Sequence, residues 1–187
     1  MAQGSPADDK KTDAIPYFFA ASTEKFVVLS FFTAGLYCLY WFYQNWLYQK
    51  WRARNGEPDK NVMPFVRALF SFVTAYTLLS NIQKKVQQYQ IAPKNIYPEL
   101  LAAAYLVLYV ATRLPWTEWA AFFTFLPLIP ANKAAIAVNR VATPNCKPNN
   151  QFTIWNWVWI AIGIAFIWGT ILGMLGWHIP LPSTRVH

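Results

Sequence analysis

Few side chains in this 187-residue chain suit covalent or metal chemistry, and their spacing argues against most of it. Cys38 and Cys146 lie far apart and form no CxxC or Cys/His pattern, so no zinc site is expected. Cys38 reads instead as a small buried hydrophobe within an apolar run. The two histidines, His178 and His187, fall at or beyond the end of the last apolar segment. Haem held inside a bilayer would need an axial ligand at depth, which leaves only Met63 and Met174 as remote alternatives. No cofactor and no metal are expected. A serine nucleophile would find no histidine placed as its base. Glu99 and Glu118 flank a short hairpin with Arg113 nearby, and they would act together on a lipid headgroup only by converging in a cleft. Otherwise they are interfacial charges, and the chain is expected not to be an enzyme.

These residues are set in an apolar background. The sequence is 56% hydrophobic, 18% aromatic and 13% charged, against about 25% charged residues in soluble domains. Nothing is ionised between Lys25 and Lys50, or between Lys147 and Arg185 apart from His178. About 20 apolar residues cross a hydrocarbon core, so both gaps admit a transmembrane helix. The expected fold class is an all-α integral membrane protein. Its net charge of +8 then reflects basic loops and anionic headgroups, with no nucleic-acid partner implied.

Residues 1–16 form a polar tail without periodicity, expected to be disordered and uncleaved. A single helical membrane domain over 17–180 and a short tail over 181–187 complete the chain. The first span runs from Phe26 to Tyr48, and its second half is crowded with rings: Tyr37, Tyr40, Trp41, Phe42, Tyr43, Trp46 and Tyr48. Such rings suit a headgroup boundary. Lys50, Arg52 and Arg54 follow at once. Pro64 starts a second helix, in which Arg67, Ser71, Thr74, Asn81, Lys85 and Gln88 share one arc at 100° per residue, with Leu78 intruding. This amphipathic helix either lies in the interface or forms a fifth span whose stripe faces a protein interior; its polar ends favour the interface.

Glu99 to Arg113 and Thr117 to Pro130 read as a hairpin of two short apolar legs, the second kinked at Pro127 and Pro130. Full crossing and a re-entrant course both fit their length. Asn132, Lys133, Asn139 and Arg140 then share one face and read as a solvated surface at the headgroups. The last span carries Ala161, Ala165, Gly169 and Gly173 at every fourth position, a ladder that lets two helices approach closely. Four spans and one interfacial helix are expected, with five spans as the alternative. In the four-span arrangement the Lys and Arg residues divide eleven against five between the two faces, and in the five-span arrangement nine against six, with Arg67 inside the added span. The stronger asymmetry places both termini outside and the basic loops inside.

The order TAGLYCLYWFYQNW (33–46), MPFVRALFSFVTAYTLL (63–79) and FLPLIPANKAAIAVN (125–139), followed by a Trp/Gly-rich span, resembles a family of small multi-pass bacterial membrane proteins of unknown function. The matching positions are Thr33, Gly35, Tyr37, Tyr40, Trp41, Phe42 and Tyr43, with a Pro-Phe-x-Arg step at Pro64, Phe65 and Arg67. Val66 stands where that second motif often has Trp. The resemblance implies a bacterial inner membrane and no catalytic residue. The expected role is a non-enzymatic scaffold, accessory or assembly subunit that packs against another membrane helix, its own or a partner's, through the ladder. Arg52, Arg54, Arg67, Lys84, Lys85 and Arg140 would contact anionic lipid headgroups or an acidic partner. A small transporter or channel component is the alternative.

Overall fold

A computed structural model describes residues 16–54, 63–146 and 149–174, and within them the chain is all-helical with no strand. The expected tails over 1–16 and 181–187 lie outside the described residues, Pro16 excepted. Residues 17–22 bend at Tyr17 and Phe18 and then run without helix into α1 (Thr23–Phe32), whose first turn is capped by the Ser22 hydroxyl accepting from the Lys25 N–H. The chain then reverses. Ala34 and Gly35 take φ of 47° and 83°, a left-handed pair that ends one helix and opens the next. A Cβ on Gly35 would also meet Thr124 Oγ1 at 2.5 Å. Thr33 joins the two helices, donating its hydroxyl to the Leu29 carbonyl and accepting the Tyr37 N–H.

α2 (Leu36–Arg54) therefore packs back along α1, with the Phe26 ring against Tyr37 and Trp41. The single span expected over Phe26–Tyr48 is thus two helices. Ten residues of α1 rise about 15 Å, half a hydrocarbon core. Nor do the α2 rings all collect at a boundary: Tyr37, Trp41, Phe42 and Trp46 are buried core. The extended segment, α1 and the later helices surround α2, so its rings meet protein instead.

α3 (Pro64–Leu69) and α4 (Ser71–Gln88) divide at Phe70. Here the expected polar stripe turns inward from Arg67 to Lys85, and Gln88 at its end is exposed. Ser71 bonds the Tyr105 hydroxyl at 2.9 Å, Asn81 donates to Gln49, and Arg67 lies over the Trp46 ring. Leu78, which interrupts the stripe in sequence, is fully buried. The exposed side carries Phe65, Val66, Leu69, Phe70 and Val73. Neighbouring helices supply the stripe with acceptors and rings, so its polar groups need no headgroups to satisfy them.

α5 (Pro98–Ala111) packs on α4, and a turn leads into 3₁₀ segments Glu118–Phe123 and Leu126–Leu128 and then α6 (Ile129–Ala142). Pro130 falls in the first turn of α6, where a missing N–H breaks no helical bond. α7 (Ile154–Met174) packs on α1. Two helical stretches, Trp119–Ala142 and Ile154–Leu172, are long and apolar enough to cross a membrane.

Candidate functional site

Extended backbone in a protein interior leaves N–H and C=O groups that a helix would have paired. Residues 18–22 solve this with asparagines. The side-chain amide offers one acceptor and one donor side by side, so it pairs with both groups of a single residue as a strand would. Asn139 accepts from the Phe18 N–H and donates to the Phe18 carbonyl. Asn45 does the same for Phe19, at 3.1 Å each way, and also donates to the Trp41 carbonyl. Asn132 accepts from Trp41 Nε1 and donates to the Ala21 carbonyl. The Asn149 carbonyl receives the Ser22 N–H.

Asn45 and Asn132 are fully buried. Of the four residues read from sequence as one solvated face, only Lys133 and Arg140 are exposed; Asn132 faces the core and Asn139 clasps Phe18. A seven-residue recurrence fixed the helix face without saying what the amides would meet. Lys25, only 5% exposed, ties the same region to the linker before α7 by donating to Asn149 Oδ1 at 2.8 Å and the Gln151 carbonyl at 2.9 Å.

The expected basic residues divide into groups. The ends of α2 and α4 meet at Tyr17, whose ring has the Arg52 guanidinium 3.3 Å from its centroid and the Lys85 ammonium at 4.6 Å. Tyr89 donates its hydroxyl to that of Tyr17. Arg140, in the last turn of α6 beside Asn139, is exposed, as is Lys84. Cations in the last turn of α4 and of α6 complement the partial negative charge of helix C-termini. Arg67 stands apart over Trp46, and the Arg54 side chain lies outside the described residues.

On α7 the side facing α1 is Ile160 and Gly163, with Ile167 half-buried. A Cβ on Gly163 would run into the Phe32 carbonyl, so this glycine sets the closest approach of the two helices. Sequence reasoning passed over it for the four-residue ladder, although Ile160, Gly163 and Ile167 also stand at helical spacings of three and four. The ladder is exposed at Ala161, Ala165 and Gly169, and nothing lies within 4 Å of a Cβ placed on Gly169. The Gly173 side chain lies outside the described residues. Trp155, Trp157, Trp159, Ile162, Phe166 and Trp168 are exposed around the same helix.

Glu99 opens α5 and Arg113 follows its end, so fourteen residues, about 21 Å of helix, separate them. Arg113 instead reaches the Tyr109 hydroxyl. The Glu118 and Met174 side chains and both histidines lie outside the described residues. Met63 is exposed, and Cys38 is buried beside Ser30. Among the described residues, no three His, Cys, Asp or Glu side chains gather as metal ligands. Compared with known proteins, the chain matches no family model, no curated protein and no solved structure.

Proposed function

We propose that this chain is a non-enzymatic, multi-pass membrane protein, a scaffold or assembly subunit that presents α7 to another membrane helix and holds its basic end against anionic lipid. Exposure of α7 carries the reading. One narrow face, Ile160 and Gly163, is committed to α1, while tryptophans, isoleucines and the ladder are left outside. In water so large an apolar surface would drive association, whereas in lipid it is solvated and small residues mark the packing face. Trp119–Ala142 and α7 are the crossings this supports best, with the linker between them on the side of Arg52, Lys85 and Arg140. That side is cytoplasmic by the distribution of basic residues. A bacterial inner-membrane location follows from the sequence resemblance.

The test is the double variant Gly169→Leu/Gly173→Leu in the full chain. Crosslinked dimers or a co-purifying helical partner should be lost while the membrane fraction still holds the protein. Unchanged association would end the packing proposal, and native protein left in the supernatant of a detergent-free lysate would end the membrane proposal.

A further inference from the structure

A cavity of about 530 Å³ lies between α1, the start of α2 and the first turns of α7. This is within the range of about 300–1,000 Å³ typical of small-molecule sites. Lys25 and Asn149 line it at one place, and Leu29, Leu36, Trp155 and Trp159 supply apolar wall. The lining contains no carboxylate. Lys25 has three N–H donors and spends two, on an amide oxygen and a carbonyl, neither of which carries charge. The Lys25 side chain is thus largely covered, with no carboxylate beside it among the described residues and with its ammonium next to empty volume. Burial accordingly lowers its pKa below the ordinary lysine value. An uncompensated buried cation is costly, and an anion in the cavity would relieve it.

We propose that this cavity binds one anionic amphiphile, with a phosphate or carboxylate on the Lys25 ammonium and an acyl chain along Leu29, Leu36, Trp155 and Trp159. Its position favours such a ligand. Asn149 and Gln151 belong to the linker between the two stretches proposed to cross, so Lys25 sits at headgroup depth with an apolar cleft beside it. A single N–H donor on a positive group suits an anionic oxygen. Aromatic walls with one polar end suit a lipid at the interface. The inference rests on the membrane placement proposed above, which fails separately, in cell fractionation.

The experiment is native mass spectrometry of the full chain in neutral detergent, titrated with phosphatidylglycerol, palmitate, phosphatidylcholine or inorganic phosphate. A one-to-one adduct with phosphatidylglycerol, palmitate or both is expected, and which of them binds identifies the source of the anion. Phosphatidylcholine should bind about tenfold more weakly, and Lys25→Met should weaken the anionic adduct by about tenfold or more, the loss of one charged hydrogen bond. Equal binding of phosphatidylcholine and phosphatidylglycerol, or unchanged binding by Lys25→Met, overturns the proposal. Trp155→Ala provides the second arm if Lys25→Met does not fold, since that side chain is 70% exposed. It should weaken the adduct several-fold and leave phosphate alone unbound; an unchanged adduct again overturns it.

Discussion

The extended segment at 18–22 and the helix α7 answer the same problem in opposite ways. In the first, backbone polar groups are buried and each asparagine amide is matched to them, so the region tolerates little change. In the second, the backbone is satisfied by its own helix and the side chains are left for the surroundings to cover. One region spends its residues on internal order and the other on what lies outside the molecule. Substitutions should therefore unfold the first and merely disconnect the second.

The sharpest test of this contrast is Asn45→Leu, which keeps the branching at Cγ but orphans the Phe19 N–H and C=O and frees the Trp41 carbonyl. Two buried unpaired groups at about 1–3 kcal/mol each predict a loss of about 2–6 kcal/mol, read as a lowered midpoint in a denaturant melt in detergent. A loss below about 1 kcal/mol would mean that water reaches the segment. Next comes Gly163→Ala. Its methyl group meets the Phe32 backbone, which cannot step aside as a side chain can, so about 1–3 kcal/mol is expected. Faster proteolysis of the linker before α7, with the rest of the bundle intact, would show that the cost falls at this one contact.

Gly169→Leu should not lower fold stability, because a Cβ there meets nothing within 4 Å and leucine favours a helix interior over glycine by up to about 1 kcal/mol. A melt shifted as far as that of Gly163→Ala would erase the distinction between the two glycines. The smallest effect belongs to Lys25. Its folded-state pKa lies below the unfolded value of 10.5. Between those two values the unfolded chain holds more protons, so ligand-free protein should gain stability as pH rises through that window. Below it both states are protonated and the burial penalty is fully present. Lys25→Met should flatten the slope relative to the parent in paired melts; parallel slopes would mean that the ammonium is not desolvated.

The helical class and several boundaries were legible in the sequence. Pro64 marks a helix start by local backbone geometry, a signal that needs no partner, whereas the reversal at Ala34 and Gly35 passed within a run apolar enough to read as one span. The apolar character of α7 was equally local. The asparagine clamps were not legible, because a bond between Phe18 and Asn139 spans 121 positions and leaves no periodicity in either segment. For the same reason the rings of α2 suggested a headgroup belt: sequence shows that Trp41 wants a partner for its indole N–H, and only the fold shows that Asn132 is that partner. Helical spacing places Arg67 to Lys85 on one arc, but arc alone does not distinguish a surface from a contact with Gln49 and Tyr105. In sequence Lys25 is only the edge of an uncharged run, since its burial depends on a linker more than a hundred residues later.

The asparagine-clamped segment also imposes a schedule. Residues 18–22 leave the ribosome well before the amides at 132 and 139 and the carbonyl at 149 that complete their pairing. Until those arrive the segment must stay hydrated or be sheltered by the insertion machinery, since contacts so distant along the chain close late. Polypeptides halted before residue 132 should accordingly keep this stretch accessible to protease, and released full-length product should not.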